Sequence, residues 1–301
     1  MKPLITIITP VLNRASMIAE AVESVRQQTE VAVEHLVLDG GSTDGTLEVL
    51  AGYPGLEVTS EPDEGIYDAL NKGIARARGE IIGFLNSDDR FVGTALAEAA
   101  SRFRSDPTVD SVCGGARIVA GEAGAERVVA TMNDSRMKSL AVDAVLGPPW
   151  LINARFFRAG VFGRIGTFDR RYRISADQDF LLRAAIARLR TVPLPGIVYE
   201  YRQHPGSLTI SGNPKHRLRA AAECLDIACR YGWDPTVPPA EARQCRRWHA
   251  WLVGWGAFHA LAGGDPRRAA SLMRDGFSRE PAWPLRVAPL VLAYARWRLG
   301  A

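Results

Sequence analysis

A chain of 301 residues with a formal net charge of +4 is long enough for one large domain, or for one domain with an appendage. Hydrophobic residues make up 47% of the chain, which excludes disorder over most of its length. The four cysteines show no CxxC pair or other metal-type spacing, which favours free thiols in a reducing compartment. The apolar N-terminus is too short for a signal peptide, and no window suffices for a membrane span, so we expect a cytoplasmic protein.

The charge and the tryptophans are unevenly distributed. Residues 214–301 contain 14 Lys and Arg against 7 Asp and Glu, a net of +7, so residues 1–213 carry −3. Six of the seven tryptophans follow Tyr231: Trp233, Trp248, Trp251, Trp255, Trp283 and Trp297. We therefore predict a main domain over 1–213 and a basic, Trp-rich helical extension over 214–301. The extension is either a helical cap on the domain or on a second subunit, or a set of amphipathic helices at a membrane surface.

Strand and helix patterns alternate through the first half. Strands are predicted at Leu4–Thr9, Val33–Leu38, Leu56–Ser60 and Ile81–Leu85. Helices are predicted from Ile18, from Ser42–Asp44 through Leu50, and over Ile66–Arg78. This alternation predicts an open, mostly parallel α/β sheet flanked by helices.

The second half is less regular. It contains a predicted hairpin (Ser111–Val119 with Arg127–Met132), a loop at Gly147–Trp150, a helix over Phe180–Leu189 and a strand over Val198–Gln203. Helical patterns follow from Pro214, with Trp248, Trp251, Leu252 and Trp255 on one face.

Polar clusters follow three of the predicted strands. They are Thr9-Pro10 with Asn13-Arg14, Asp39-Gly40-Gly41, and Asn86-Ser87-Asp88-Asp89. Because ligands of open α/β sheets bind beyond the carboxyl ends of the strands, we expect these clusters to converge on one site.

Each acidic cluster has a chemical and a structural interpretation. Asp88-Asp89 suits a hard divalent cation, or one of the pair caps a helix that starts near Gly93. Asp39 either accepts hydrogen bonds from a base or ribose, or holds a turn. Asp177 and Asp179 precede the helix at Phe180, where an acid is either a general base or a charge that complements the helix dipole.

His204 lies in a Pro-Gly loop. It is either a ligand for a metal or phosphate, or an ordinary surface histidine.

Four long motifs resemble family 2 glycosyltransferases with the GT-A nucleotide-diphospho-sugar transferase fold. They are "ITIITPVLNRASMIAEAVESVRQQ", "EHLVLDGGSTDGTLEVL", "SEPDEGIYDALNKGIARARGEIIGFLNSDD" and "ISADQDFLLRA", and the resemblance covers about residues 3–210. The Asp-Gly-Gly-Ser and Glu-Pro-Asp-x-Gly-Ile-Tyr-Asp-Ala forms are similar to the subgroup associated with bacterial exopolysaccharide, capsule and lipopolysaccharide assembly.

The resemblance implies roles for individual residues. Asp88 occupies the metal-ligand position of the Asp-x-Asp motif, which reads Asn86-Ser87-Asp88 here, and His204 is near a loop that closes over the diphosphate. Asp177 matches the catalytic base of inverting members, with Asp179 as a secondary candidate. The expected donor-binding residues are Thr9, Pro10, Asn13, Arg14, Asp39, Gly41, Asp68, Lys72, Asn86, Ser87 and Asp88.

Two departures from the family pattern affect the donor site. Asn86 stands where many members have the first Asp of Asp-x-Asp, which removes one charge from the metal site. Leu70 stands where many members have Arg, so Lys72 or Arg14 is expected to supply the missing positive charge at the diphosphate.

The function implied is inverting transfer of a sugar from a nucleotide-diphospho sugar, with UDP the expected nucleotide and Mn²⁺ or Mg²⁺ the expected cation. The acceptor is expected to be a glycan or a lipid-linked hydroxyl in bacterial surface polysaccharide synthesis, at the cytoplasmic face of the inner membrane if the extension binds lipid. A homodimer is compatible with the sequence, and nucleic acid is not an expected partner. The alternatives are another nucleotide-sugar-using transferase and a degenerate, sugar-binding pseudoenzyme.

Overall fold

The computed structural model describes residues 4–121, 125–147, 151–207, 214–281 and 284. The chain divides into two compact units, Met1–Ser211 and Gly212–Ala301. Trp150, in the predicted loop at 147–150, lies outside the described residues, as do Trp283 and Trp297.

The first half of the first unit is a parallel sheet with helical crossovers. Its strands are β1 (Ile5–Val11), β2 (Val33–Asp39), β3 (Glu57–Ser60) and β4 (Ile81–Phe84). They lie in the order β3-β2-β1-β4 and every neighbouring pair is parallel. Helices α1 (Ile18–Arg26), α2 (Thr46–Ala51) and α3 (Ile66–Arg76) connect them. Every residue of β1 and β4 is buried, as their continuous apolar runs predict for central parallel strands.

Helix α3 packs very closely on β1. A Cβ atom at Gly73 would collide with the side chain of Ile8. The glycine therefore allows the helix that follows the Glu64-Gly65 loop to approach the sheet.

The second half of this unit contains the short strand β5 (Arg90–Phe91) and the strands β6 (Ser111–Ala120), β7 (Arg127–Met132), β8 (Arg155–Arg158) and β9 (Thr191–Gln203). Its helices are α4 (Ala95–Ser105), α5 (Ser135–Lys138), α6 (Val142–Val145), α7 (Gly160–Ile165) and α8 (Ala176–Ile186).

These strands continue the sheet as a mixed one. The full order is β3-β2-β1-β4-β8-β6-β9-β5, with β7 also paired to β6. The parallel arrangement therefore extends as far as β4, since β8 runs antiparallel to both β4 and β6. The predicted hairpin is confirmed, because β6 and β7 pair antiparallel. Strand β9 is parallel to β6 and antiparallel to β5.

The second unit contains three described helices, α9 (Pro214–Gly232), α10 (Pro239–Ala262) and α11 (Pro266–Arg279). The tryptophan face predicted for α10 is divided, because Trp248 and Leu252 are buried whereas Trp251 is 37% exposed and stacks on Trp255. Among the described helices of the chain, none combines the length and hydropathy that crossing a bilayer requires.

Candidate active site

A cavity of about 800 Å³ opens beyond the carboxyl ends of β1 and β4. Seven of the residues predicted from the sequence line it: Pro10, Asn13, Arg14, Asn86, Ser87, Asp88 and Asp177. A cavity of this size suits a ligand as large as a small cofactor. The predicted convergence of the clusters after β1 and β4 is therefore what the structure shows, and Asp177 at the start of α8 joins them.

Asp88, which lines this cavity, is in direct contact with His204, which does not line it. His204 Nε2 lies 2.7 Å from Asp88 Oδ2, and His204 Nδ1 accepts the backbone N–H of Gly206 at 3.1 Å. Because Nδ1 accepts that hydrogen bond, a neutral His204 ring carries its hydrogen on Nε2 and donates it to Asp88. The two residues predicted as metal ligands are thus placed side by side.

Asp89 also lines the cavity but is almost fully buried. Its carboxylate accepts hydrogen bonds from Asn86 Nδ2 (2.8 Å), Tyr199 Oη (2.9 Å) and the backbone N–H of Arg202 (2.8 Å). Burial, and then the charge of Asp88, raise the pKa of Asp89 well above its usual range. Asp89 therefore ties the end of β4 to β9. Neither aspartate caps a helix, because α4 begins only at Ala95 and Thr94 precedes it.

Asn86 supports Asp89 with its side chain while its backbone N–H donates to Tyr199 Oη at 3.1 Å. A carboxylate at position 86 has no hydrogen to donate to Asp89 and would place a second negative charge against it. The departure from Asp-x-Asp thus has a local structural consequence as well as its effect on the charge of the metal site.

Asp177 and Asp179 diverge, although both lie in the first turn of α8. Asp177 lines the cavity, whereas Asp179 is fully buried and accepts a hydrogen bond from Arg183 Nε at 2.9 Å. Residues two apart on a helix do not share a face, so only one of the pair can point into the cavity. The geometry therefore does not support Asp179 as a catalytic candidate, whereas Asp177 remains the candidate for the catalytic base.

Two residues expected to bind the donor, Lys72 and Asp68, are engaged elsewhere. Lys72 Nζ lies 3.2 Å from Glu61 and 3.5 Å from Asp68, and it donates to the carbonyl of Pro62 at 2.9 Å. Asp68 also pairs with Arg170 at 2.8 Å. Neither Lys72 nor Asp68 lines the cavity, because α3 directs them to an ion-pair network beside it.

Three further predicted donor residues, Thr9, Asp39 and Gly41, lie outside the cavity wall. Thr9 is fully buried with its hydroxyl 2.9 Å from His35 Nε2. Asp39 accepts hydrogen bonds from the backbone of Gly41 and Ser42 and from Ser60 Oγ, which outweigh burial and lower its pKa. In this structure Asp39 therefore fixes the loop after β2, as its turn interpretation proposes.

The surroundings of Arg14 differ from those of Lys72. Its guanidinium donates to the carbonyls of Leu12 and Asn13, and it makes no ion pair with any described acidic residue. It lies on the cavity wall near Gly206. The alternative that assigns the positive charge to Arg14 is the one this geometry favours.

Other cavity residues carried no recognised sequence signal. Tyr67, Arg173, Tyr201 and Arg202 all line it. Tyr67 Oη donates to the carbonyl of Ile174 at 2.8 Å, which joins the start of α3 to the segment before α8. Such residues are brought to the cavity by contacts between segments far apart in the chain, which periodicity cannot reveal.

The sequence matches the family model described as "Glycosyl transferase family 2" over residues 6–162. An uncharacterized glycosyltransferase of Mycobacterium tuberculosis is 37% identical over 190 residues, or 61% of this chain and 70% of that protein. A PGL/p-HBAD biosynthesis glycosyltransferase of Mycobacterium bovis is 31% identical over 188 residues, or 60% and 69%.

Solved structures are similar in fold at lower sequence identity. The mannosyltransferase PcManGT from Pyrobaculum calidifontis, in complex with GDP-Man and Mn²⁺, aligns with a TM-score of 0.60 and 22% identity over 98% of this chain and 87% of that one. S. aureus TarS 1–349 in complex with UDP aligns with a TM-score of 0.59 and 20% identity over 83% and 70%. The mixed sheet with its flanking helices is thus the GT-A fold, and the chain belongs to glycosyltransferase family 2.

Proposed function

We propose that this glycosyltransferase moves a sugar from a nucleotide-diphospho sugar to an acceptor hydroxyl with inversion, using a divalent cation. The observation that carries the proposal is that Asp88 and Asp177, far apart in sequence, line one cavity. A single displacement needs only one carboxylate at the reacting carbon, whereas a pair flanking the bond is typical of glycoside hydrolases.

Asp88 is a suitable ligand for Mn²⁺ or Mg²⁺, because these cations prefer carboxylate oxygen. His204 Nε2 lies 2.7 Å from Asp88 Oδ2 and carries the hydrogen of that contact, so His204 would become a ligand only if this hydrogen moved to Nδ1 and the bond from Gly206 were broken. A bound cation would neutralise the charge that develops on the leaving diphosphate. Arg14 adds a positive charge on the same wall, and Asp89 with Tyr199 keeps the Asp88 segment in place.

Asp177 is the proposed general base. It takes the proton from the acceptor hydroxyl as that oxygen attacks the anomeric carbon, and the nucleoside diphosphate leaves from the opposite side. Its position on a helix supports this role, because a catalytic group on a regular element is held more precisely than one on a loop.

The donor and acceptor are proposed by analogy with similar proteins. TarS has been crystallised with UDP and UDP-GlcNAc, and PcManGT with GDP-Man and Mn²⁺. We propose a UDP-sugar as the donor, with GDP-sugars as the alternative to be tested. The name of the mycobacterial PGL/p-HBAD relative supports a lipid-linked or glycan acceptor of the cell envelope.

Donor turnover with purified protein tests the proposal. UDP- and GDP-sugars are assayed with Mn²⁺, Mg²⁺ or EDTA for wild type, Asp88→Asn, Asp177→Asn and the control Asp143→Asn, an exposed residue that does not line the cavity. We expect Asp177→Asn to lower kcat about 10²- to 10⁴-fold while nucleotide binding persists. We expect Asp88→Asn to lose the response to Mn²⁺, and the control to behave as wild type.

Two results would contradict the proposal. If Asp88→Asn kept full Mn²⁺-dependent turnover, Asp88 would not be a ligand of the cation. Retention of the anomeric configuration in the product, measured by NMR, would exclude a single displacement.

A further inference from the structure

Three helices of the second unit each direct one metal-ligating side chain to a common point. These are Cys229 on α9, His249 on α10 and Asp275 on α11, and their ligand atoms all lie within 4.8 Å of one another. The sequence separation of the three residues follows no known metal-binding motif, so only the packing of the helices brings them together.

His249 is the innermost member of this cluster and is fully buried. Its Nε2 lies 3.3 Å from Asp275 Oδ2, while its Nδ1 is buried without a hydrogen-bond partner among the described residues. Nε2 is the nitrogen that faces the carboxylate and is therefore the one available to a metal, which would leave Nδ1 as it is.

The separations are compatible with a small tetrahedral cation. Zinc bonds of about 2.3 Å to sulfur and 2.0–2.2 Å to nitrogen and oxygen place tetrahedral ligand atoms roughly 3.3–3.8 Å apart. The His249–Asp275 separation of 3.3 Å already falls in that range. The Cys229 sulfur therefore has to move by no more than about 1.5 Å, which a side-chain rotation can supply.

The chemistry of the donors selects the metal. A thiolate with an imidazole and one carboxylate favours zinc, whereas Mg²⁺ and Mn²⁺ prefer sites made of oxygen ligands. Cys229 is half-buried and Asp275 is exposed, so the cluster is reached from solvent on the side of the carboxylate.

The local charges are compatible with a dication. Burial raises the pKa of the Cys229 thiol to about 11, with Arg279 acting against this shift and Asp275 and Asp226 adding to it. Zinc coordination would replace the thiol proton, which leaves to solvent. Arg279 donates to Asp275 Oδ1 at 3.0 Å and leaves Oδ2 directed to His249, so the arginine orients the carboxylate without occupying the oxygen that faces the cluster.

Two of the hydrophobic clusters in these helices contain only small buried residues. Their buried members are Ala250, Val253, Ala257, Ala260 and Ala269, with Leu225, Leu272 and Met273 packed against them. Larger side chains, Ile227, Tyr231, Trp248 and Leu252, are buried elsewhere in α9 and α10.

We propose that Cys229, His249 and Asp275 form a structural zinc site that joins α9, α10 and α11, with the fourth position open to water. The site is separate from the cation proposed at Asp88 and does not depend on the proposed function.

Cobalt substitution of the full chain tests the site, because a thiolate bound to Co²⁺ gives a charge-transfer band that oxygen and nitrogen ligands do not give. Wild type should show this band at one Co²⁺ per chain, and one equivalent of Zn²⁺ should remove it and raise Tm. Cys229→Ser should lose the band, whereas Cys224→Ser, a buried cysteine on the same helix but outside the cluster, should keep it.

Asp275→Asn provides a second variant in case Cys229→Ser does not fold, since the Asp275 side chain is 45% exposed and asparagine is close to it in size. It should fold as wild type does and weaken Zn²⁺ binding at least tenfold. The proposal is overturned if wild type shows no thiolate band, if Cys229→Ser keeps it, or if Asp275→Asn binds zinc as tightly as wild type. Asp88→Asn should leave every one of these measurements unchanged, which separates this site from the donor site.

Discussion

Arg14 combines two properties that a diphosphate-binding cation needs. Its guanidinium lies on the cavity wall, and it bonds only to backbone carbonyls among the described residues, so no carboxylate neutralises it. We predict that Arg14→Gln raises the KM for the donor about tenfold, or about 1.4 kcal/mol, with a smaller effect on kcat. Arg170→Gln is the matched control, because Arg170 pairs with Asp68 and Glu64 outside the cavity. If Arg14→Gln and Arg170→Gln raised the KM equally, the effect would come from the net charge of the protein and not from the position of Arg14.

The family pattern suggests that an aspartate at position 86 would improve the metal site. The contacts of Asn86 predict instead that this substitution destabilises the protein. Restoring the carboxylate with Asn86→Asp would place it against buried Asp89 and remove the amide hydrogen bond of 2.8 Å. Because burial and Asp88 raise the pKa of Asp89 to about 8, we expect Asn86→Asp to lower the free energy of unfolding by about 1–3 kcal/mol above that pH, where Asp89 is ionised. Denaturant titration without metal measures this change. A variant as stable as wild type would show that the Asn86–Asp89 contact contributes little.

At the scale of a single element, β2 carries a histidine that links stability to pH. Burial lowers the pKa of His35 to about 3, against 6.5 for an exposed ring. Between these two pKa values the unfolded chain binds a proton at His35 and the folded chain does not. The free energy of unfolding is therefore unaffected by His35 above pH 6.5 and decreases as the pH falls toward 3. The expected slope from this residue is about 1.4 kcal/mol per pH unit within that window.

Comparison of wild type with His35→Gln, by denaturant unfolding between about pH 6.5 and 4.5, isolates this contribution because glutamine does not titrate. We expect a flatter profile for the variant over this window. Parallel profiles would show that His35 is not the residue responsible.

The elements that the sequence predicts well are those with simple local patterns. Strands β1, β2 and β4 are apolar runs, and their predicted and observed bounds differ by one or two residues. Strand β9 begins at Thr191, seven residues before the predicted start, because Pro193 and Pro195 read as a break. Pro193 pairs in register with Cys113, and Pro195 lies between Pro193 and Ile197, where the pairing with β6 shifts register.

The side-chain roles are harder to predict than the elements. Helix α8 begins at Ala176 rather than Phe180, and this shift is what sends Asp179 into the core and leaves Asp177 at the cavity. Lys72 was a reasonable diphosphate ligand by charge alone, yet Glu61 and Asp68 neutralise it. Such outcomes depend on the neighbours that folding supplies, and a single sequence does not name them.

At the scale of the whole molecule, every residue of the candidate site lies in the first unit, whereas the excess of positive charge lies after residue 213. On α10, Trp251, Phe258 and Leu261 are exposed. We propose that these apolar side chains, together with the positive charge of residues 214–301, bind an anionic membrane that presents the acceptor. The proposal predicts that residues 1–213 bind the donor nucleotide and that residues 214–301 bind the membrane.

A fragment of residues 1–213 should bind the donor nucleotide as the full chain does but should not sediment with anionic lipid vesicles. In the full chain, Phe258→Asp should reduce sedimentation several-fold, whereas Val128→Asp, an equally exposed site in the first unit, should not. Sedimentation of the fragment, or its absence for the full chain, would contradict the membrane proposal. Loss of nucleotide binding by the fragment would contradict the domain boundary.

The position of β6 in the sheet has a consequence for how the protein is made. Its neighbours on one side, β7 and β8, follow soon after it, but its other neighbour is β9, which ends 83 positions after Ala120. At roughly 5–20 residues per second, a ribosome needs about 4–17 s to translate that stretch. During this time the edge of β6 that pairs with β9 in the folded protein has no partner strand. An unpaired, apolar strand edge can pair with the strands of other chains. Tyr199 on β9 also completes the support of Asp89, so the candidate site is incomplete until β9 has been synthesised.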